Sequence, residues 1–172
     1  MMVQRNNASA GIVLFRRRGT GGVEILLVHP GGPFWANKDT NGWSIPKGEY
    51  DPETEDAEQA AVREFEEEVG HPVPTGPRLP LPSFKAGRKT ITAWLVEGDI
   101  DPALISSNSF EMEWPPKSGR MQSFPEVDRG DWFSLDQAET KLHKGQLPIR
   151  RLVEGALSDL LSDSLSDPEE QP

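Results

Sequence analysis

The segment GEYDPETEDAEQAAVREFEEEVG, residues 48–70, is the most informative part of this 172-residue sequence. It predicts a helix that Thr54 caps at its amino end, because acidic residues follow in the first turn, where the helix dipole favours negative charge. Gly70 marks the expected carboxyl end, since glycine adopts the left-handed conformation that ends many helices, and Pro72 follows shortly after it. The segment is therefore expected to form a turn followed by one capped helix.

This helix carries acidic residues beside its apolar face instead of opposite to it. At about 100° per residue, two stripes lie next to each other on the helix: Val62, Phe65 and Val69, and the small residues Ala57, Ala60 and Ala61. Glu64, Glu67 and Glu68 overlap the small-residue stripe, where they repel one another and lose hydration. Two interpretations are open: a solvated acidic helix face, or a shared hard cation such as Mg²⁺, which prefers oxygen ligands and phosphate.

The same segment resembles the signature motif of Nudix (MutT-like) hydrolases. Glu55 stands eight residues before Arg63, as that motif requires. The remaining motif residues match in register: Arg63, Glu64, Phe65, Glu67, Glu68 and Gly70. The turn is one residue longer than in the motif, since six residues separate Gly48 from Glu55, and His71 replaces the final apolar residue. The runs at 43–48 and 126–135 are also similar to Nudix enzymes.

The resemblance implies a metal site and the residues that support it. Nudix enzymes bind Mg²⁺ or Mn²⁺, and the corresponding ligands here are the Gly48 carbonyl and the carboxylates of Glu64, Glu67 and Glu68. Glu55 and Arg63 would form an ion pair that orients these glutamates and thereby supports catalysis. Members of the family take the general base either from the motif or from a later loop, so Glu67 and Glu126 are both candidates.

Basic and aromatic side chains outside the motif are candidates for substrate binding. Lys47 adjoins the metal loop and is either a phosphate ligand or an exposed loop lysine. The candidates for stacking on a base are Phe34, Trp35, Trp43 and Trp94, although buried aromatic residues more often belong to a core. The segment 110–124, which carries Lys117 and Arg120, is either a substrate lid with basic tips or a surface loop.

Sequence patterns outside this segment predict strands before and after the helix along the chain. Apolar patterns favour strands at 8–18, 23–29, 43–45, 83–85, 90–97 and within 126–133. Ser134 is expected to cap a short helix ending near His143, a last helix is expected at 150–161, and 101–119 is expected to be irregular.

Resemblance and length together imply one Nudix domain at 8–161. Its expected class is α+β, with mixed sheets sandwiched between helices. A flexible start at 1–7 precedes this domain, and an acidic, disordered tail at 162–172 follows it.

Composition limits the partners and the location. The formal net charge of −10 makes nucleic acid and anionic membranes poor partners. The absence of cysteine excludes a disulfide framework, a thiolate metal site and a cysteine nucleophile. No stretch approaches the roughly 20 apolar residues of a membrane span, so a cytoplasmic location is expected. The family resemblance also admits a homodimer.

The implied activity is cleavage of the pyrophosphate bond in a nucleoside diphosphate linked to another moiety. The run WSIPKG at 43–48 is similar to enzymes acting on dinucleoside polyphosphates, while ADP-ribose-type compounds and nucleoside triphosphates stay open. Two other classes compete with this activity. One is a catalytically silent Nudix-fold module that binds a nucleotide as a sensor, and the other is a structural domain stabilised by Ca²⁺ or Mg²⁺.

Overall fold

The chain folds around one long central strand in this computed structural model, which describes residues 7–19 and 21–166 (only the backbone for 163–166). Strand β1, Ala8–Arg18, is buried along most of its length. Successive residues of a strand point to opposite faces, so an uninterrupted apolar run such as Ile12 to Leu14 needs a covering layer on each side. The fold is therefore a sandwich with β1 in the middle layer.

A mixed sheet is built outward from β1. Eight further strands follow it in the described residues: β2 (Gly22–Pro30), β3 (Lys47–Glu49), β4 (Leu79–Pro80), β5 (Phe84–Ala86), β6 (Lys89–Glu97), β7 (Ser109–Glu113), β8 (Met121–Pro125) and β9 (Val127–Ser134). The main sheet has the order β4-β6-β1-β2-β9, with β3 on β1 and β5 on β6, while β7 and β8 form a separate hairpin. β1 pairs parallel with β6 and antiparallel with β2 and β3. The sheet is therefore mixed, as expected.

Helices cover both faces of this sheet. The described residues contain α1 (Ala57–Val69), α2 (Leu135–Lys141) and α3 (Pro148–Ser166). Phe65 of α1 is fully buried in a cluster with apolar residues from one face of β1 and β2. Ile149 of α3 is fully buried in a second cluster on the opposite face. The expected single-domain α+β sandwich is thus confirmed, and α1 is the helix that brings the acidic residues to the sheet.

The residue that caps the amino end of α1 was predicted wrongly, and the residue that ends the helix was predicted correctly. Asp56, not Thr54, is the amino-terminal cap, because its carboxylate accepts a hydrogen bond from the backbone N–H of Gln59. Thr54 instead belongs to the preceding turn. Gly70 ends the helix as predicted, with φ of 71°. A Cβ atom at this position would lie 2.2 Å from the carbonyl oxygen of Ser106, so conformation and space both require glycine.

Other boundaries also differ from the predicted ones. The strands predicted at 8–18, 23–29, 83–85, 90–97 and 126–133 are confirmed to within one residue at each end. The segment 43–45 forms only isolated bridges, and the regular strand begins at Lys47. The segment 101–119 is wrongly predicted to be irregular, since it contains a 3-10 turn at Pro102–Leu104 and strand β7.

The last helix is longer than the sequence predicts. α3 continues to Ser166 instead of ending near Leu161, so the predicted acidic tail at 162–172 begins inside this helix. Residues 1–6 and 167–172 lie outside the described residues. In the part of the chain that the structure describes, no helix is long and apolar enough to cross a membrane.

Candidate active site

Glu64 lies directly against the backbone of strand β3. Gly48 of β3 pairs with Ala10 of β1, and a Cβ atom at Gly48 would lie 2.0 Å from Cδ of Glu64. Any larger residue would displace the carboxylate, so glycine is what allows Glu64 to approach the strand this closely. Glu64 is only 9% exposed in this position, and burial is the main cause that raises its pKa.

Arg63 connects Glu64 to the turn that precedes α1. Its guanidinium donates two hydrogen bonds to Glu55, at 2.9 and 2.8 Å, and a third at 2.8 Å to Oε1 of Glu64. The hydrogen bond to Arg63 lowers the pKa of Glu55, and the same pairing raises the pKa of Arg63. A two-point pair of this kind holds both side chains in one orientation. The predicted Arg63–Glu55 ion pair is therefore present, with Glu64 as its third member.

Glu68 lies on the next turn of α1 and is the acid most affected by burial. Its Oε2 accepts a hydrogen bond from the backbone N–H of Lys47 at 3.2 Å. Burial raises the pKa of Glu68 to about 8, and the charges of Glu64 and Glu126 act in the same direction. A carboxylate in this position is electrostatically unfavourable unless positive charge is supplied nearby.

Glu126 approaches these carboxylates through a chain of backbone hydrogen bonds. Asn108 N–H donates to the Glu67 carbonyl at 2.9 Å, and Glu126 N–H donates to the Asn108 carbonyl at 2.8 Å. On its other side, the Glu126 carbonyl accepts from Gly31 N–H at 2.9 Å. Burial and the charge of Glu67 raise the pKa of Glu126, and Glu126 lines the same cavity as Glu68 of the helix. Glu126 thus joins the acidic cluster although it is distant in sequence.

A polar cavity of about 140 Å³ opens beside this cluster. Its titratable lining residues are Lys47, Glu68, Glu126 and His143. Burial lowers the pKa of Lys47 and of His143, and the charge of Lys47 lowers the pKa of His143 further. Acidic groups and nitrogen bases therefore share one small, partly desolvated space. Such a space suits a charged ligand that is bound by metal and lysine together.

A larger cavity of about 500 Å³ lies between α3 and β4. Its lining is mainly apolar, apart from Arg151 and Asp159, and includes no residue of α1. Acids and bases with shifted pKa values line the small polar cavity and are typical of catalytic sites. The small cavity is therefore the candidate site, although the apolar cavity is larger.

The acidic cluster has the donor chemistry for a hard divalent cation but does not form a ready-made cage. Among the described residues, no three acidic or histidine side chains already converge on one point. Arg63 engages Oε1 of Glu64, and the Lys47 N–H engages Oε2 of Glu68. The Glu67 side chain is 36% exposed, and its carboxylate oxygens lie 3.4 and 3.5 Å from Nη1 of Arg63. Carboxylate oxygens are the donors that a hard divalent cation prefers, and burial without such a cation raises carboxylate pKa values, as it does for Glu64 and Glu68.

Two predicted stacking residues belong to the core instead. Trp43 is 4% exposed, contacts the rings of His29 and Phe133, and donates its indole N–H to Asp39 at 2.9 Å. Trp94 is 9% exposed and belongs to the cluster beneath α1. Both indoles are buried in the core, so the structure gives no support for either as a stacking residue.

The other predicted substrate residues surround the site at different distances. Lys47 lines the polar cavity directly. Trp35 contacts the ring of His143 edge-on at 4.7 Å, and Phe34 is 59% exposed one residue earlier. Arg120 is exposed near the turn of the β7–β8 hairpin. Lys47 and Trp35 are thus near the acids, while Phe34 and Arg120 lie outward from them.

The sequence did not identify His143, which lines the polar cavity, or Trp114, which contacts the predicted substrate residue Phe34. His143 has no spacing pattern with other histidines. It lines the cavity, and its N–H donates to the Trp43 carbonyl at 2.9 Å. Trp114 contacts Phe34 at 5.4 Å between ring centroids. Both contacts join segments that are far apart in the chain, so no local signal precedes them.

Comparison with known proteins is consistent with this geometry. The family model described as NUDIX domain matches residues 5–154. An Ap4A hydrolase of C. elegans in a binary complex is 23% identical, with 88% of this chain and 98% of that chain covered and a TM-score of 0.56. The NUDIX domain of Shewanella oneidensis NrtR complexed with ADP ribose is 17% identical, with 90% of each chain covered and a TM-score of 0.56. The Nudix hydrolase RenU of M. smegmatis is 20% identical, with 90% and 88% covered and a TM-score of 0.53. At these identities the structural likeness concerns the fold.

Proposed function

The chain belongs to the NUDIX family of pyrophosphohydrolases, and we propose that it hydrolyses the phosphoric anhydride bond of a nucleoside diphosphate linked to another moiety. The observation that carries this proposal is the crowding of Glu64, Glu68 and Glu126, whose pKa values are all raised. A folded chain gains nothing from burying carboxylates together unless a ligand compensates them.

The proposed cation ligands are Gly48, Glu64, Glu67 and Glu68, and the proposed metal is Mg²⁺, with Mn²⁺ as a substitute. Enzymes of this family generally need a divalent metal. When bound, such a cation neutralises phosphate charge and increases the acidity of water. Arg63 and Glu55 hold the helix carboxylates in orientation, which is the supporting role of a group behind metal ligands.

The proposed reaction needs one proton acceptor and one phosphate clamp. A water oxygen forms a bond to one phosphorus, the bridging P–O bond breaks, and the bridging oxygen leaves with the second phosphate. The acceptor of the water proton is Glu67 or Glu126, which both face the acidic cluster. Lys47, which lines the cavity with Glu68, is placed to hold a phosphate oxygen.

The candidate substrates share a phosphate chain that carries a nucleoside. Dinucleoside polyphosphates, ADP-ribose-type compounds and nucleoside triphosphates all fit this description. Two neighbours in fold support the choice of nucleotides, since one is named an Ap4A hydrolase and one is complexed with ADP ribose. The run at 43–48 favours dinucleoside polyphosphates among these classes.

A second candidate function is a nucleotide-binding module without turnover. The observation that favours it is the lack, among the described residues, of a preformed three-ligand metal group. The two functions differ in one respect that can be measured, because only the enzyme releases product in the presence of a divalent cation.

The deciding experiment measures product release from a panel of phosphate compounds with Mg²⁺ and with EDTA. The panel contains diadenosine polyphosphates, ADP-ribose, NADH, nucleoside triphosphates and a nucleotide sugar. Metal-dependent cleavage of any class supports the enzyme and names its substrate. Silence across the panel from folded protein that still binds Mg²⁺ supports the binding module.

The assignment of the general base to Glu126 is tested by the pH profile of Glu126→Gln. Burial raises the pKa of Glu126, so if Glu126 is the base, activity falls on the acid side above the ordinary carboxylate range. Glu126→Gln would then lose turnover by about 10²-fold or more and lose that acid limb. Retention of the limb in this variant excludes Glu126 as the base.

A further inference from the structure

The β7–β8 hairpin turns one face toward the loop that follows β2. Its register pairs Phe110 with Phe124, and their ring centroids lie 6.0 Å apart. A Cβ atom at Gly32 would lie 3.0 Å from Cζ of Phe110, so this loop passes directly against the phenyl ring. The base of the hairpin is therefore anchored to the loop at 31–35, close to Glu126.

An aromatic pair occupies the outer end of the same face. Trp114 contacts Phe34 at 5.4 Å between ring centroids, with an angle of 80° between the rings. Trp114 is held in place, since its N–H donates to the Arg120 carbonyl at 2.9 Å and its carbonyl accepts from Gln122 at 3.0 Å. Phe34 nevertheless remains 59% exposed. The pair thus presents an apolar ring surface to solvent on a firmly bonded support.

This surface connects to the polar cavity through neighbouring contacts. Trp35 touches His143, which lines the cavity, and Lys38 Nζ lies 4.7 Å from the centre of the Trp35 ring. Phe34 is the next residue outward. Arg120 immediately precedes β8 and is six residues from Glu126, which is about 20 Å in an extended strand, so the turn of the hairpin lies outward from the acids.

Positive charge accompanies the aromatic pair. Lys117 and Arg120 are exposed near the turn of the hairpin. In the described part of the chain, neither side chain makes an ion pair, although the chain carries a net charge of −10. Aromatic rings beside free cations favour a ligand that is both aromatic and anionic, which is the chemistry of a nucleotide.

We propose that Phe34 and Trp114, with Lys117 and Arg120, bind a second nucleoside at the far end of the substrate's phosphate chain. This inference rests on the proposed function and makes it narrower. A base stacked on Phe34 is separated from the bond cleaved at the acids by a phosphate chain. The substrate class is therefore a dinucleoside polyphosphate, and a compound with one nucleoside uses this site poorly.

The test compares Phe34→Ala and Trp114→Ala with a matched control on the opposite face of the hairpin. Met121→Ala is that control, because Met121 is 63% exposed and pairs with Glu113 away from the aromatic face. Three probes carry different numbers of nucleosides on a phosphate chain: diadenosine tetraphosphate has two, ADP has one and tripolyphosphate has none.

Binding and turnover are both measured, because failure of the nucleoside site and failure of the proposed hydrolysis then give different results. Each aromatic variant should bind diadenosine tetraphosphate about tenfold or more weakly, which is the usual effect of losing one stacked base. In both aromatic variants KM should rise while kcat stays unchanged, and the affinity for tripolyphosphate should stay at the wild-type value. The Met121→Ala control should match wild type in affinity, KM and kcat. Unchanged diadenosine tetraphosphate affinity in both variants, or an equal loss for tripolyphosphate, overturns this inference. Selective binding by a wild-type chain without turnover would overturn the proposed reaction and leave the nucleoside site standing.

Discussion

Replacing Glu68 by glutamine tests whether burial of this carboxylate controls the pH dependence of stability. Burial raises its pKa from an ordinary 4.5 to about 8 in the folded chain. In the unfolded chain the carboxylate is hydrated and titrates near the ordinary value. Folding therefore takes up a proton between these two pKa values, and the free energy of unfolding falls as the pH rises from 4.5 to about 8.

The size of this effect follows from the pKa difference. One pKa unit corresponds to about 1.4 kcal/mol. At pH 7 Glu68 is ionised in the unfolded chain but mostly protonated in the folded chain, and this difference lowers the free energy of unfolding by about 3 kcal/mol. At pH 5 the same calculation gives less than about 1 kcal/mol. Glutamine does not titrate, and its side-chain oxygen still accepts the hydrogen bond from Lys47. Relative to wild type, Glu68→Gln should gain about 2 to 3 kcal/mol of stability between pH 5 and pH 7.

The assay is urea unfolding at pH 5 and pH 7 in EDTA, with Glu66→Gln as a control. Glu66 lies on the same helix but is exposed, so its substitution should show no such pH dependence. An equal difference between Glu68→Gln and wild type at both pH values would refute the reasoning. Repeating the series with Mg²⁺ adds a second check, because wild type should then gain stability at pH 7 by ligand binding and the variant should gain less.

Three further substitutions test the geometry of the site. Gly48→Ala should abolish metal-dependent turnover, because its Cβ would overlap the carboxylate of Glu64, and the loss should be accompanied by weaker Mg²⁺ binding in calorimetry. Glu67→Gln should reduce kcat by at least about 10²-fold while circular dichroism shows an unchanged fold, and equal activity would exclude Glu67 from ligand and base roles. Arg63→Lys keeps the charge but loses the two-point hydrogen bond, so we expect about a tenfold lower kcat/KM. Wild-type kinetics in Arg63→Lys would show that the pair does not orient the site.

Much of the catalytic helix could be predicted because its information is local. A helix repeats every 3.6 residues, so the spacing of Arg63, Glu64 and Glu68 sets their relative positions before any packing is known. The same holds for Gly70, whose left-handed conformation is a property of one residue and its neighbours. Thr54 was misassigned because Asp56 can cap equally well, and the turn before the helix decides between them.

Contacts between distant segments could not be predicted in this way. The pairing of β7 with β8 closes a loop whose sequence has no strong strand pattern, so 101–119 was expected to be irregular. The sequence makes Trp43 a plausible stacking residue, but in the structure its ring contacts the rings of His29 and Phe133. Whether an aromatic side chain is buried depends on which elements pack over it, and the sequence around it is silent on that point.

The sequence by itself determined the family, the central strand and the acidic helix, because these depend on short periodic patterns and on one motif of fixed spacing. The resemblance offered Glu126 as a candidate base, but tertiary structure alone decided that it shares a cavity with Glu68 and that Phe34 meets Trp114 at the surface. It also decided how far burial raises the pKa of Glu68. The physical reason is that desolvation and charge coupling act through space, over distances that only the folded path of the chain establishes.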